Sequence, residues 1–409
     1  MADALAVDTL AAVTEAWEGR PTIAIVDLDT LASNIRALRE IVGPDVLLTS
    51  VVKANAYGHG AVPIGKAAIE AGANELAVAT VDEGVQLRNA GIEAPILVMG
   101  PIGKVETARA IANRFRLVVS EATFGHHIAA EAKHLHWKDR VSIHLKIDTG
   151  MRRFGAPVAN VVDVAQAIAS HEQLSLDGLM SHLSSADDPD PTSAYDQLAE
   201  FDQAVSLLRE AGIEIPEHHI ANSAATLRFP EFHRNRIRSG VATYGLQPDV
   251  GMTLPDEFRP ILTLHSRISR ITDLAPGDAV SYGRTYVARQ RERAGLIPIG
   301  YGDGYSRQFS SKAHMSIHGR RADILGRVCM DQTVVRLPED VDVKLGDHVT
   351  IIGNGTFATD GAPTIDELAE LTGTISYDLS CRLQARVPKL YLRNGEVIAI
   401  ADLAGYREF

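Results

Sequence analysis

The chain has 409 residues, 45% hydrophobic and 22% charged, a composition that fits a folded globular protein and is too apolar for disorder. A formal net charge of −12 gives little hold on a phosphate backbone or an anionic leaflet, so neither nucleic acid nor a membrane surface is an expected partner. The two cysteines, Cys329 and Cys381, cannot build a disulfide framework, and neither a cationic leader nor an uninterrupted run of ~18 apolar residues is present, so a cytoplasmic location is expected.

Residues 1–20 carry Asp8, Glu15 and Glu18 among alanines and read as an N-terminal extension. Asp29 then reads as the cap of a helix whose Leu31, Ile35 and Leu38 share one face. From residue 46 onward, short Val/Ile/Leu-rich runs alternate with helix-like stretches. The runs are 46–53, 75–80, 95–100, 116–120, 141–148, 176–183, 217–223 and 236–245. Several are apolar at successive positions, such as Ile96, Leu97 and Val98, as in strands covered on both faces. Asp82 opens a short helix holding Val85 and Leu87. Between 191 and 212, Tyr195, Leu198, Phe201, Val205 and Leu208 recur at three- and four-residue steps, and Gly212 ends that helix. Eight such units within ~250 residues predict an α/β fold with a (β/α)8 barrel over 21–250. An open doubly wound sheet is the competing arrangement. It usually has fewer strands, and the isolated glycines of YGHG at 57–60 do not have dinucleotide-loop spacing.

After residue 255 the texture changes. Segments 262–273, 279–287, 294–301, 315–324, 333–337, 348–352 and 389–400 read as strands, with turn groups at 275–278 and 393–396 and one helix near 364–372. A second, mostly β domain is therefore expected over 251–409.

Lys53 falls at the end of the first barrel strand, where such folds keep their active sites. A sheltered lysine there suits imine chemistry, but position alone equally allows a charged strand end in solvent. Metal chemistry is not expected. His134 with His136, His218 with His219, and His126 with His127 lack carboxylate or cysteine partners at ligand spacing, and 187–190 lacks the length and glutamate of a calcium loop.

The string VVKANAYGHG at 51–60 resembles the cofactor-lysine motif of alanine racemases. KIDTGMRRFG at 146–155, HIANS at 219–223, RSG at 238–240 with Tyr244-Gly245, VSYG at 280–283, IGYGDG at 299–304, GRVCMD at 326–331 and ISY at 375–377 resemble further family motifs in order. The likeness runs from about Pro21 to Val387 and spans both expected domains.

The resemblance implies a homodimeric, pyridoxal 5'-phosphate-dependent racemase interconverting L- and D-alanine, with D-alanine supplied to peptidoglycan. By it, Lys53 carries the cofactor and is one of two bases. Tyr282, reaching in from the partner subunit, is the other. A racemase needs a base on each face of the α-carbon, because one base returns the proton to the side it left. Tyrosine is a poor base unless a donor or cation stabilises its phenolate, a task the resemblance gives to His182 and Arg238. Arg238 also faces the pyridine nitrogen, and because arginine donates without giving up its proton, it keeps that nitrogen unprotonated and the electron sink weak. The phosphate falls to Tyr57, Ser223, Gly240, Val241 and Tyr377, and the substrate carboxylate to Arg153 and the Met330 N–H. Tyr301 and Tyr377 form the entrance gate, and Lys146 is a candidate carbamylated lysine. Arg152 stands where glycine is common and Phe154 where leucine is common. Counting from Lys146 and Gly155 selects Arg153. A decarboxylase of basic amino acids shares the layout but wants an acid at the pyridine nitrogen. A serine-preferring racemase stays open, and a pyridoxal-phosphate carrier would be a lone barrel.

Overall fold

The computed structural model describes residue 13 and residues 17–249, 251–353 and 355–409, so most of the N-terminal extension lies outside the described residues. Eight parallel strands, Leu47–Val51, Glu75–Val78, Ile96–Val98, Arg116–Val119, Val141–Asp148, Leu174–Met180, Glu217–His219 and Arg236–Ser239, form the barrel. Each of the first six pairs with the next, and the eighth pairs back onto the first, leaving only the seventh and eighth without a ladder between them. Leu76, Ile96, Leu117, Ile143 and Leu145 are fully or almost fully buried beneath the surrounding helices.

The barrel does not begin at residue 21. Strand Ile23–Asp27 belongs to the eight-stranded sheet of the second domain, antiparallel to Leu262–Arg267 and parallel to Lys389–Arg393. Its residues Ile23 to Val26 are all buried and need cover on both faces, which the middle of that sheet supplies. Asp27, not Asp29, caps the following helix Leu28–Val42, accepting from the Asp29 and Thr30 N–H groups. Thr80, not Asp82, caps Val81–Asn89 in a reciprocal pair with Glu83.

In the second domain several expected strands are broken. Segment 262–273 splits into Leu262–Arg267 and Arg270–Leu274, which lie in different sheets. Segment 315–324 is a hairpin turning at His318 and Gly319, and 389–400 turns at Asn394 and Gly395, both with positive φ as a tight hairpin requires. Segment 279–287 holds two short paired strands, Ala279–Val280 and Tyr286–Val287, flanking the turn that carries Tyr282. Apolar residues run straight through these turns, so alternation alone does not mark them. Among the described residues no helix is long and apolar enough to cross a membrane.

The barrel interior is divided. Val51, Ala77, Leu97, Val118 and Met180 form one apolar cluster inside it. The end away from the strand C-termini is closed by a ring of alternating charge. Arg236 binds Glu75 and, at 2.6 Å, Glu217, while Arg116 reaches Glu75 at 3.2 Å and Glu217 at 3.3 Å. Two carboxylates and two guanidiniums thus balance where little water enters.

Candidate active site

A cavity of about 330 Å³ opens at the C-terminal end of the barrel, lined among others by Lys53, Tyr57, His182, Ser223, Arg238 and Tyr377. Lys53 follows the first strand directly. After it, Ala54, Asn55, Ala56 and Tyr57 all have φ between 51 and 55°, one turn of left-handed helix. Each such L-residue costs roughly 1–2 kcal/mol, so the turn must be held from outside. Glu83 Oε1 accepts from the Ala54 N–H at 2.6 Å and Asn55 Oδ1 from the Ala61 N–H at 2.9 Å. The loop also presses on the second domain. A Cβ on Gly58 would meet the Ser380 carbonyl at 2.0 Å, and one on Gly60 the Tyr391 hydroxyl at 1.9 Å. Glycine is the residue that fits at both places, which gives those motif positions a physical reason. The turn brings the Tyr57 hydroxyl to the cavity wall beside Gly240, where a Cβ would lie 2.6 Å from it.

Lys53 Nζ has no hydrogen-bond or ion-pair partner among the described residues, and burial, then the charge of Arg153, lowers its pKa from the ordinary lysine range. An amine that sheds its proton more easily is present in larger fraction as the free, nucleophilic amine near neutral pH. Arg238, 3% exposed, commits both terminal nitrogens to the wall. Nη1 donates to His219 Nδ1 and to the His219 carbonyl, each at 3.0 Å, and Nη2 to the Ser181 carbonyl at 2.8 Å and His182 Nδ1 at 3.3 Å. Its Nε–H is the donor left without a protein partner among the described residues. Burial moves its pKa down to about 9, which still leaves it cationic near neutral pH. Because His182 Nδ1 accepts from a guanidinium, its proton must sit on Nε2. Burial and then Arg238 hold His182 well below the ordinary histidine range, so it is neutral.

Ser223 opens the helix Ser223–Arg228, and its Oγ accepts from the Gly240 N–H at 3.0 Å and the Ala242 N–H at 3.3 Å. The Gly240 N–H is therefore engaged, whereas the Val241 N–H has no protein partner among the described residues. Tyr377 lies edge-on to Tyr57 at 6.2 Å, and its hydroxyl donates to the Pro248 carbonyl at 3.4 Å. Arg153 acts electrostatically on Lys53, His182 and Lys146, while Arg152 acts on Asp148. Lys146 is buried, donates to the Ile147 carbonyl at 2.8 Å, and is pushed down to about 8 by burial and then by Arg238.

Five expected site residues do not line this cavity, Arg153 and Lys146 on the barrel and Tyr282, Met330 and Tyr301 on the second domain. Tyr282 is 69% exposed, Met330 52% and Tyr301 42%. They share a scaffold on the second domain. Ser281 Oγ donates to the Arg327 carbonyl at 2.5 Å, Tyr301 N–H to the Cys329 carbonyl at 3.0 Å and Gly302 N–H to the Met330 carbonyl at 2.8 Å. The Met330 N–H has no protein partner among the described residues. Sequence reasoning missed Glu83, Asn55 and His144. The signal for His144 was present: in Val141–Asp148 the apolar Val141, Ile143, Leu145 and Ile147 alternate with Ser142, His144, Lys146 and Asp148.

Fold and site together define a two-domain enzyme, a barrel with a β-rich second domain, whose cavity holds an unpartnered lysine and a buried arginine. The chain belongs to the alanine racemase family: the family's N-terminal domain matches residues 26–248 and its C-terminal domain residues 261–391. The alanine racemase of Halalkalibacterium halodurans is 42% identical over 389 residues, 94% of this chain and 98% of that one. That of Symbiobacterium thermophilum is 40% identical over 375 residues, 91% and 97% of the respective chains. The solved alanine racemase of Bacillus anthracis, which has L-Ala-P bound, superposes with a TM-score of 0.88 at 35% identity, covering 95% of this chain and 99% of that one. The family's enzymes are isomerases.

Proposed function

We propose that the site racemises alanine with pyridoxal 5'-phosphate and is completed by a second copy of the chain, supplying D-alanine for peptidoglycan in the cytoplasm. One observation carries the reading. The cavity has Lys53 as a base on its wall, and the residues expected on the opposite face of the substrate, Tyr282 with Met330 and Tyr301, stand exposed together on the second domain.

The cavity fits the cofactor. Tyr57, Ser223 and the Val241 N–H offer donors without bulk at one end, the missing Cβ of Gly240 leaves room there, and the Arg238 Nε–H is free for a ring nitrogen. Pyridoxal phosphate supplies an electron-withdrawing ring that stabilises negative charge at the α-carbon. Lys53 would hold the cofactor covalently at rest, and its amine, when free of that bond, would move the proton on one face. Tyr282 moves it on the other, with the His182 Nε2–H as donor to the tyrosine oxygen. Arg153 and the Met330 N–H orient the substrate carboxylate, and Tyr301 with Tyr377 narrows the entrance. Lys146, buried and easily deprotonated, is the amine placed to take up carbon dioxide as a carbamate.

Borohydride treatment of the holoenzyme followed by peptide mass mapping is expected to fix the pyridoxyl group on Lys53. A label on another lysine refutes the assignment. Assembly has its own test. Inactive Lys53→Ala and Tyr282→Phe chains, mixed and allowed to exchange, are expected to regain activity, because a heterodimer carries one intact and one doubly damaged site. No recovery after proven exchange would mean that both bases come from one chain.

A further inference from the structure

Behind Arg238 a string of polar groups runs down the inside of the barrel, and its hydrogens can be placed one after another. Arg238 Nη1 donates to His219 Nδ1 at 3.0 Å, and a guanidinium cannot accept, so the His219 proton lies on Nε2. His219 Nε2 is 2.8 Å from His144 Nδ1 and must donate to it, which puts the His144 proton on Nε2 as well. That proton lies towards Glu217 Oε2 at 3.7 Å, beyond hydrogen-bond distance, and Arg236 binds the same oxygen at 2.6 Å within the charged ring. The direction of every hydrogen bond is thus set by Arg238.

The backbone is shaped around this string. A Cβ on Gly178 would lie 2.2 Å from His144 Nδ1, so glycine makes room for the ring, and the ladder between the fifth and sixth strands slips between Ile143 and His144. The two imidazoles meet edge-on, with centroids 4.9 Å apart, and both are fully buried.

We infer that His219 and His144 are positioning residues, a neutral, one-directional imidazole bridge that backs Arg238, ends beside Glu217 and keeps the Arg238 Nε–H aimed at the cofactor's ring nitrogen. The inference rests on the cavity assignment made above. A charged His219 would set N–H against N–H at Arg238. Burial first, and then the surrounding guanidiniums, hold both rings well below the ordinary histidine range. If the bridge is cut, Arg238 Nη1 keeps its bond to the His219 carbonyl but the ring that fixes its second hydrogen is no longer held, and its Nε–H is free to drift. The ring nitrogen can then take a proton, the electron sink strengthens, and transfer of the amino group to the cofactor competes with racemisation.

Two measurements test this. In the full chain carrying 15N-histidine, His144 and His219 are expected to show Nδ1 as the bare nitrogen and Nε2 as the protonated one near neutral pH. An imidazolium, or an Nδ1–H in either ring, overturns the bridge without reference to activity. In the holoenzyme, His144→Leu removes the acceptor for His219, whereas His144→Asn keeps a carbonyl oxygen near the place of Nδ1. The ratio of pyridoxamine phosphate formed to alanine racemised is expected to rise about 10- to 100-fold in His144→Leu, as for a buried donor left without its acceptor. It is expected to stay near the wild-type ratio in His144→Asn. An unchanged ratio in His144→Leu, or equal shifts in both variants, reduces His144 to packing and overturns the inference. A wild-type chain that neither binds the cofactor nor racemises alanine would refute the cavity assignment and with it the cofactor-facing role, separately from the tautomer result.

Discussion

Tyr282→Phe is expected to abolish exchange of the α-proton of L-alanine with solvent while D-alanine still exchanges through Lys53. The loss of a positioned general base typically lowers a rate by ~10²–10⁴. Among the described residues of the cavity, its one histidine is no substitute for Tyr282. His182 lines it, but its Nδ1 is taken by Arg238 and its Nε2 carries a hydrogen, so it cannot accept the proton. Which base serves which enantiomer follows the facial assignment that the motif resemblance implies. Racemisation needs both proton transfers, so steady-state rates fall together in both directions and do not reveal the split. Single-turnover exchange in deuterium oxide, started separately from each enantiomer, does. Equal loss from both enantiomers with the cofactor still bound would refute the two-base reading.

Glu75→Leu is expected to lower stability by about 3–5 kcal/mol, the usual result of removing one partner from a buried ion pair. Glu75 and Arg236 side chains are each 2% exposed, and Arg116 also leans on Glu75, so the substitution leaves two guanidiniums sharing Glu217. The double variant Glu75→Leu/Arg236→Met removes one charge of each sign and leaves Arg116 with Glu217. It is expected to recover most of the loss, since balanced replacement of buried ions by apolar groups is often neutral or better. Urea unfolding of the two variants against wild type decides this. A double variant no more stable than the single one would show that the ring is not held by charge balance.

The strand count and the domain order were legible because parallel strands covered by helices are often written as Val/Ile/Leu-rich runs; seven of the eight expected runs contain a barrel strand, and the run 176–183 overlaps Leu174–Met180, which starts two residues before it. The site motifs were legible for a different reason. Gly58, Gly60 and Gly240 stand where a Cβ would strike the Ser380 carbonyl, the Tyr391 hydroxyl and the Tyr57 hydroxyl, so their places in the motifs record contacts the chain must make. The interior of the barrel was harder to read. Arg236 and Arg238, or His144 and Lys146, look like isolated polar residues in apolar strands, and only the twofold alternation of the strand shows that each pair faces inward together.

By itself the sequence determined which residues are apolar and at what period, hence the barrel, the β-rich second domain and the order of the motifs along them. Tertiary structure alone decided three things. It placed strand Ile23–Asp27 in the far domain's sheet, because pairing between residues hundreds of positions apart leaves no local period to read. It set the charged ring and the His144–His219 string inside the barrel, because five separate strands must close before those side chains meet. And it turned Tyr282, Tyr301 and Met330 away from their own cavity, because the direction of a surface side chain follows from the packing of the domain beneath it and not from its neighbours in sequence.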